Sequence, residues 1–309
     1  MDSPKSGVDI LRPAAVGHLE YPIVTSPPPL SDPLTISIHH NSTLTNQHAP
    51  QNGQNGHIRR PRLPQKGTLP LGKSVFVGMR AADALLQFSI LQRGWGSTLI
   101  QRLGGSVVPF AAPRDPTLAY LGLGPYPAII SALAVGSSVK HIAWTMGIME
   151  QQMSPVAAAA IGLFNTTLNT LNTLFSLWAL TSAAPQLATQ SASLKDVVMS
   201  SPMLMFGIGL YTLGLCTELG SEIQRKMFKD KPENKGKPYG GGLFGLATNI
   251  NYGGYTLWRT GYAIAAAGLP WGAVIGGFFF YDFTTRAIPS LDQYCTERVC
   301  SPDISCPLG

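Results

Sequence analysis

Charge is scarce in this sequence. Only 12% of its 309 residues are Asp, Glu, Lys or Arg, about half the share of a soluble domain. Histidine is absent from the apolar part except at His141; the other five all precede residue 58. This shortage restricts acid–base chemistry. No Ser/His/Asp series, HExxH helix or paired-carboxylate pattern is present. The four cysteines, at 216, 295, 300 and 306, form no CxxC pair, so they read as free thiols in a reducing compartment rather than as a zinc set. The first 25 residues include Asp2, Lys5, Asp9 and Arg12 with no apolar core, so no secretory signal is expected. Basic residues are not interleaved with aromatics, and no nucleic-acid partner is expected.

Apolar sequence is abundant, at 45% of residues. Low charge with long apolar runs predicts an all-α, multi-pass transmembrane helical bundle. Residues 1–70 carry Pro-, Ser-, Asn- and Gln-rich stretches such as "SPPPLSDP" and "NQHAPQNGQNGH", and are expected to form a disordered tail. A basic group, Arg59, Arg60, Arg62 and Lys66, ends that tail and marks the cytosolic side or touches anionic lipid. The transmembrane domain is expected over 71–298, followed by an atypical tail at 299–309. Candidate segments are Val75–Leu91, which spans or lies in the interface, then Tyr126–Met149, Pro155–Ala184 and Val197–Gly220. Two shorter pieces follow, Tyr252–Gly268 and Trp271–Thr284, divided by Gly268-Leu269-Pro270, where a bend or hairpin is expected.

Polar residues within apolar runs carry the information. Arg80 and Asp83, three apart, pair on one helical face. Asn165, Asn169, Asn172 and Ser176 share another face, which serves interhelical hydrogen bonding or lines a wet cavity. Lys140-His141 reads as an interfacial pair, with the lysine reaching for water. Thr217–Lys237 is either a solvated helix end of alternating charge or an anion site built from Lys226, Lys229, Lys235 and Lys237. "YGGGLFG", Tyr239–Gly245, lacks the strand-and-helix context of a dinucleotide turn.

An ordered series of motifs spans 200–298. It runs Glu222-Ile-Gln224-Arg225, Phe228-Lys229, Pro232, Asn234-Lys235-Gly236-Lys237, Gly242-Leu243-Phe244, Asn251-Tyr252-x-Gly254 and Ile288-Pro289-x-Leu291-Asp292. This series resembles the membrane proteins with a steroid 5-alpha-reductase-type C-terminal domain. The resemblance implies a helical fold in the endoplasmic-reticulum membrane, NADPH as cofactor, and reduction of a carbon–carbon double bond in a sterol or other lipid. It implies cofactor contacts from Gln224, Lys229, Asn234, Lys235, Asn249, Asn251, Arg286 and Asp292. Tyr252 and Glu222 are the candidate catalytic residues, with Tyr252 a proton donor activated by nearby lysines.

Two departures accompany the resemblance. Where the family has Arg-His, this chain has Thr248-Asn249, and an asparagine hydrogen-bonds but exchanges no proton near neutral pH. The end, "TERVCSPDISCPLG", replaces the family's aromatic continuation and reads as a truncated or spliced form. Methyltransferases of the isoprenylcysteine carboxyl type have a similar helical C-terminal domain and offer a second enzymatic reading. A third is a non-catalytic lipid-binding protein of the same fold.

Overall fold

A computed structural model describes residues 71–190, 192–234, 237 and 239–292. The expected tail over 1–70, Lys235, the cysteines at 295, 300 and 306, and the 299–309 end lie outside the described residues. The described residues form an all-α bundle without strands; the nearest approach to a sheet is one antiparallel bridge between Val107 and Trp178.

Proline sets the start of four helices. Pro116, Pro125, Pro155 and Pro202 open α3 (Pro116–Leu121), α4 (Pro125–Gly147), α5 (Pro155–Leu177) and α7 (Pro202–Lys229). At a first helical position the missing N–H costs nothing and the fixed φ suits the helix. Three of these starts are also capped. Asp115 accepts from Thr117 N at 2.7 Å, Ser154 from Ala157 N at 3.2 Å and Ser201 from Leu204 N at 3.1 Å. The Ser201-Pro202 start corrects the expected single span from Val197 to Gly220. Residues Leu194–Met199 form a separate short helix, α6, opened by a Ser193/Asp196 capping box.

Two further helices precede α3: α1 (Leu71–Gln92) and α2 (Trp95–Arg102). After α7 comes α8, Ile250–Asp282, which is helical throughout except at Ala267 and Gly268. Gly268 has φ +73°, a conformation that side-chain-bearing residues rarely adopt. The chain reverses there. Gly272 comes back against Ile264, Gly276 against Thr260, and Phe279 against Tyr255 with ring centroids 5.0 Å apart. The expected hairpin at Gly268-Leu269-Pro270 is therefore present, with arms 250–266 and 269–282.

The most extensive helix pair is α7 with α8. Its closeness comes from glycine: a Cβ at Gly207 or Gly214 would strike the α8 backbone, and one at Gly254 or Gly261 would strike α7. Removing side chains lets the two backbones touch, the device by which helices associate in lipid. α1 packs against both α4 and α5 and completes the bundle.

Leu71–Gln92, Pro202–Lys229 and the 43-residue stretch Ile250–Asp292 are long and apolar enough to cross a membrane. The last of these contains the hairpin. α4 and α5 have 23 residues each, about 34 Å at the helical rise, and turn their polar residues inward. Outward faces carry Leu85, Val139, Leu163, Phe206, Leu213, Val274 and Phe280. Apolar residues outside and charged residues inside is the arrangement a bilayer requires.

Candidate functional site

The interior of the bundle holds two linked polar centres. The first grows from α7. Tyr211, Gly214, Glu218 and Ser221 follow one another at three- and four-residue spacings, and Glu222 is four past Glu218, so they share the face turned to α4 and α8. Glu218 Oε1 accepts from Lys140 Nζ of α4, and Oε2 accepts from Trp258 Nε1 of α8 at 2.7 Å. One turn further, Glu222 Oε1 accepts from Asn251 Nδ2 at 3.0 Å, and Oε2 pairs with Arg225. Asn251 is 8% exposed, and its Oδ1 has no hydrogen-bond partner among the described residues. Glu222 is therefore buried and paired, while residues 223–234 are partly or fully exposed, so only the start of this segment departs from a solvated helix end.

Lys140 and His141 also differ from expectation. They lie inside the bundle, not at its interface. The cause is Glu218, 78 residues away in sequence, which gives the ammonium a carboxylate partner in place of water. The His141 ring sits among Phe76, Tyr255 and Trp258, with centroids 6.1, 6.5 and 5.7 Å away.

The second centre joins α1, α4, α5 and α8. Arg80 and Asp83 pair at 3.0 Å with both side chains fully buried, as their spacing predicts. The Nη1–Oδ2 contact has ion-pair distance without hydrogen-bond alignment. Arg80 Nη2 donates to Ser138 Oγ at 2.9 Å. Asp83 accepts from Gln87 at 2.8 Å and from Asn169 at 2.7 Å. The asparagine stripe of α5 thus serves interhelical hydrogen bonding. Asn165 and Asn169 accept from Arg259, and Asn172 accepts from Trp271 Nε1 at 2.6 Å. Arg259 was not singled out by sequence; its signal is a lone arginine inside the apolar run 252–268.

The remaining sequence candidates surround the first centre without all facing it. Gln224 Oε1 accepts from Leu243 N at 2.9 Å and so ties the Gly242–Gly245 turn to α7. Asn234 Nδ2 donates to Phe228 O at 3.0 Å. Lys226 lies 3.3 Å from Glu150 and 3.1 Å from Asp230, and Lys229 ends α7. Asn249 precedes the first turn of α8 and contributes its carbonyl to Tyr252 N and Gly253 N. Tyr252 is one residue past Asn251, about 100° around the helix, and its ring stacks on Phe283 at 4.6 Å. Glu222 and Asn251 are thus brought together, while Tyr252 faces the hairpin. Arg286 forms two 2.7 Å bonds to Asp282 within electrostatic reach of Tyr252, and Asp292 is exposed at the last described position.

Residues 155–298 match a family described as protein of unknown function (DUF1295). A protein of Ustilaginoidea virens, named probable O-methyltransferase ustE, is 38% identical over 237 residues, covering 76% of this chain and 81% of that protein. No solved structure matches the chain.

Proposed function

The chain belongs to the DUF1295 family of membrane proteins, and from that premise we propose that it transfers a methyl group to an oxygen atom of an apolar acceptor. The observation that carries this reading is the buried Glu222–Asn251 pair, with an unsatisfied acceptor at Asn251 Oδ1. A buried acceptor without a donor is costly, and it suits the O–H or N–H of a ligand. The name of the relative, a probable O-methyltransferase, supports this reaction class.

The donor set fits a sulfonium cosubstrate such as S-adenosylmethionine. Glu218 and Glu222 place two carboxylates on one face of α7, each already paired with a cation, Lys140 and Arg225, so the fit to a sulfonium rests on the spare lone pairs of Glu222. When bound, the sulfonium supplies an electrophilic methyl group. The chain's own residues do the rest. Asn251 orients the acceptor through Oδ1. Glu222, held by Asn251 and Arg225, keeps spare lone pairs and receives the hydroxyl proton. We infer that the acceptor comes from the bilayer against which the apolar outer faces lie, and we assign the protein to the endoplasmic reticulum on the same reading.

A second reading, NADPH-dependent reduction of a double bond in a sterol or other lipid, is favoured by the basic run Arg225, Lys226 and Lys229 at this end of α7. Two of its cofactor candidates, Gln224 and Asn234, are engaged in internal bonds. The two readings separate in one assay. Protein in lipid nanodiscs is given methyl-labelled S-adenosylmethionine and a lipid extract, and label in the organic phase is counted. Transfer that falls at least tenfold in Glu222→Gln supports methylation. Consumption of NADPH without methyl transfer replaces it with reduction.

A further inference from the structure

Across the two linked centres, buried positive charge exceeds the carboxylates that answer it. Arg80, Lys140 and Arg259 are all nearly inaccessible. Asp83 answers Arg80, and Glu218 answers Lys140. Among the described residues, no carboxylate lies within ion-pair distance of Arg259, which is 1% exposed. Its contacts are neutral: Asn165, Asn169 and the Tyr255 hydroxyl, with the Trp258 ring 4.3 Å from the guanidinium carbon. Such contacts satisfy N–H groups but leave the charge uncompensated, and a buried uncompensated charge is strongly destabilising.

Two buried donor positions beside this arginine are also unsatisfied. Arg80 Nε and His141 Nδ1 have no hydrogen-bond partner among the described residues, and His141 is 7% exposed. Both belong to the same centre. Arg80 reaches Arg259 through Asp83 and Asn169, and His141 lies within electrostatic reach of Lys140, Arg80 and Arg259. Arg80 Nε is always a donor, and His141 Nδ1 is one in a single tautomer. Excess positive charge and idle N–H groups in one enclosed centre describe the chemistry of an anion site.

We propose that the interior between Arg80, His141 and Arg259 binds one monovalent anion, either a halide or the carboxylate of an apolar acid. The site is separate from the Glu222–Asn251 centre. Arg259 follows Asn251 by eight residues, about 12 Å along the helix. The anion balances Arg259 and accepts from the two idle donors, so it links α1, α4 and α8 and stabilises the folded bundle through mass action.

The test uses the full chain in detergent at fixed sodium concentration. Unfolding midpoints are followed while chloride, or separately hexanoate, replaces gluconate. A saturable rise of a few degrees with chloride identifies a halide site, and one with hexanoate identifies a carboxylate site. Either response must disappear in Arg259→Gln. If that variant does not fold, Arg259→Lys, which keeps the charge but loses the fork, must show a half-saturating concentration raised at least tenfold. Coincident midpoints in chloride, hexanoate and gluconate overturn the proposal, as does an equal response in wild type and the Arg259 variant.

Discussion

Trp258 Nε1 donates to Glu218 Oε2 at 2.7 Å, joining α8 to α7 through a fully buried indole and a carboxylate that keeps little exposure. The other oxygen of Glu218 belongs to Lys140. One carboxylate therefore fixes three helices. Lys140→Met leaves that carboxylate buried without its cation and should destabilise the protein by about 3–5 kcal/mol. Trp258→Phe removes a neutral donor and part of a fully buried ring, and should cost about 1–3 kcal/mol. Unfolding in mixed micelles measures both. The Lys140→Met/Glu218→Gln double variant should recover part of the loss, because the unpaired charge is gone.

The Arg80–Asp83 pair gives a similar contrast. Asp83→Leu strands a fully buried guanidinium and should cost about 3–5 kcal/mol. Ser138→Ala removes one neutral acceptor from Arg80 and should cost about 1 kcal/mol. Equal losses in the two unfolding curves would show that charge balance does not govern this centre.

Glycine substitutions test the α7–α8 contact. A Cβ at Gly214 meets the backbone N of Trp258 and the carbonyl of Gly254, whereas a Cβ at Gly209 meets nothing within 4 Å. Gly214→Ala should destabilise by about 1–3 kcal/mol through overpacking. Gly209→Ala should be neutral or slightly stabilising, since alanine is the better helix former. Thermal unfolding of the two variants side by side reads the difference.

At α6, the Ser193 hydroxyl and then its backbone N–H hold the Asp196 carboxyl below the usual carboxylate range. The folded value is depressed, so the contribution is present above the unfolded carboxylate value and is lost as pH falls through the folded one. Amide exchange in Leu194–Met199, corrected for intrinsic rates, should show less protection in acid than at neutral pH. Ser193→Ala should remove most of that dependence.

Local spacing made part of this architecture readable in advance. Arg80 and Asp83 are three apart and the asparagines of α5 recur at four and three, so one helix suffices to place each on a face. The Gly268-Leu269-Pro270 break is likewise a property of neighbouring residues. Lys140 departs from the interfacial expectation because its partner is on another helix, and no local pattern distinguishes a lysine seeking water from one seeking a distant carboxylate. The role of Arg259 is not legible locally for the same reason: its acceptors, Asn165 and Asn169, lie more than 85 residues away. The division between Asn251, turned to Glu222, and Tyr252, turned to Phe283, depends on how α8 is rotated against α7. The glycine contacts decide that rotation.

The Glu222–Asn251 centre is tested most directly by equilibrium binding of S-adenosylmethionine and of NADPH to the purified chain in nanodiscs. The account predicts saturable binding of S-adenosylmethionine that weakens at least tenfold in Glu222→Gln, about 1.4 kcal/mol, with no saturable binding of NADPH. Saturable NADPH binding together with no response to S-adenosylmethionine would contradict it.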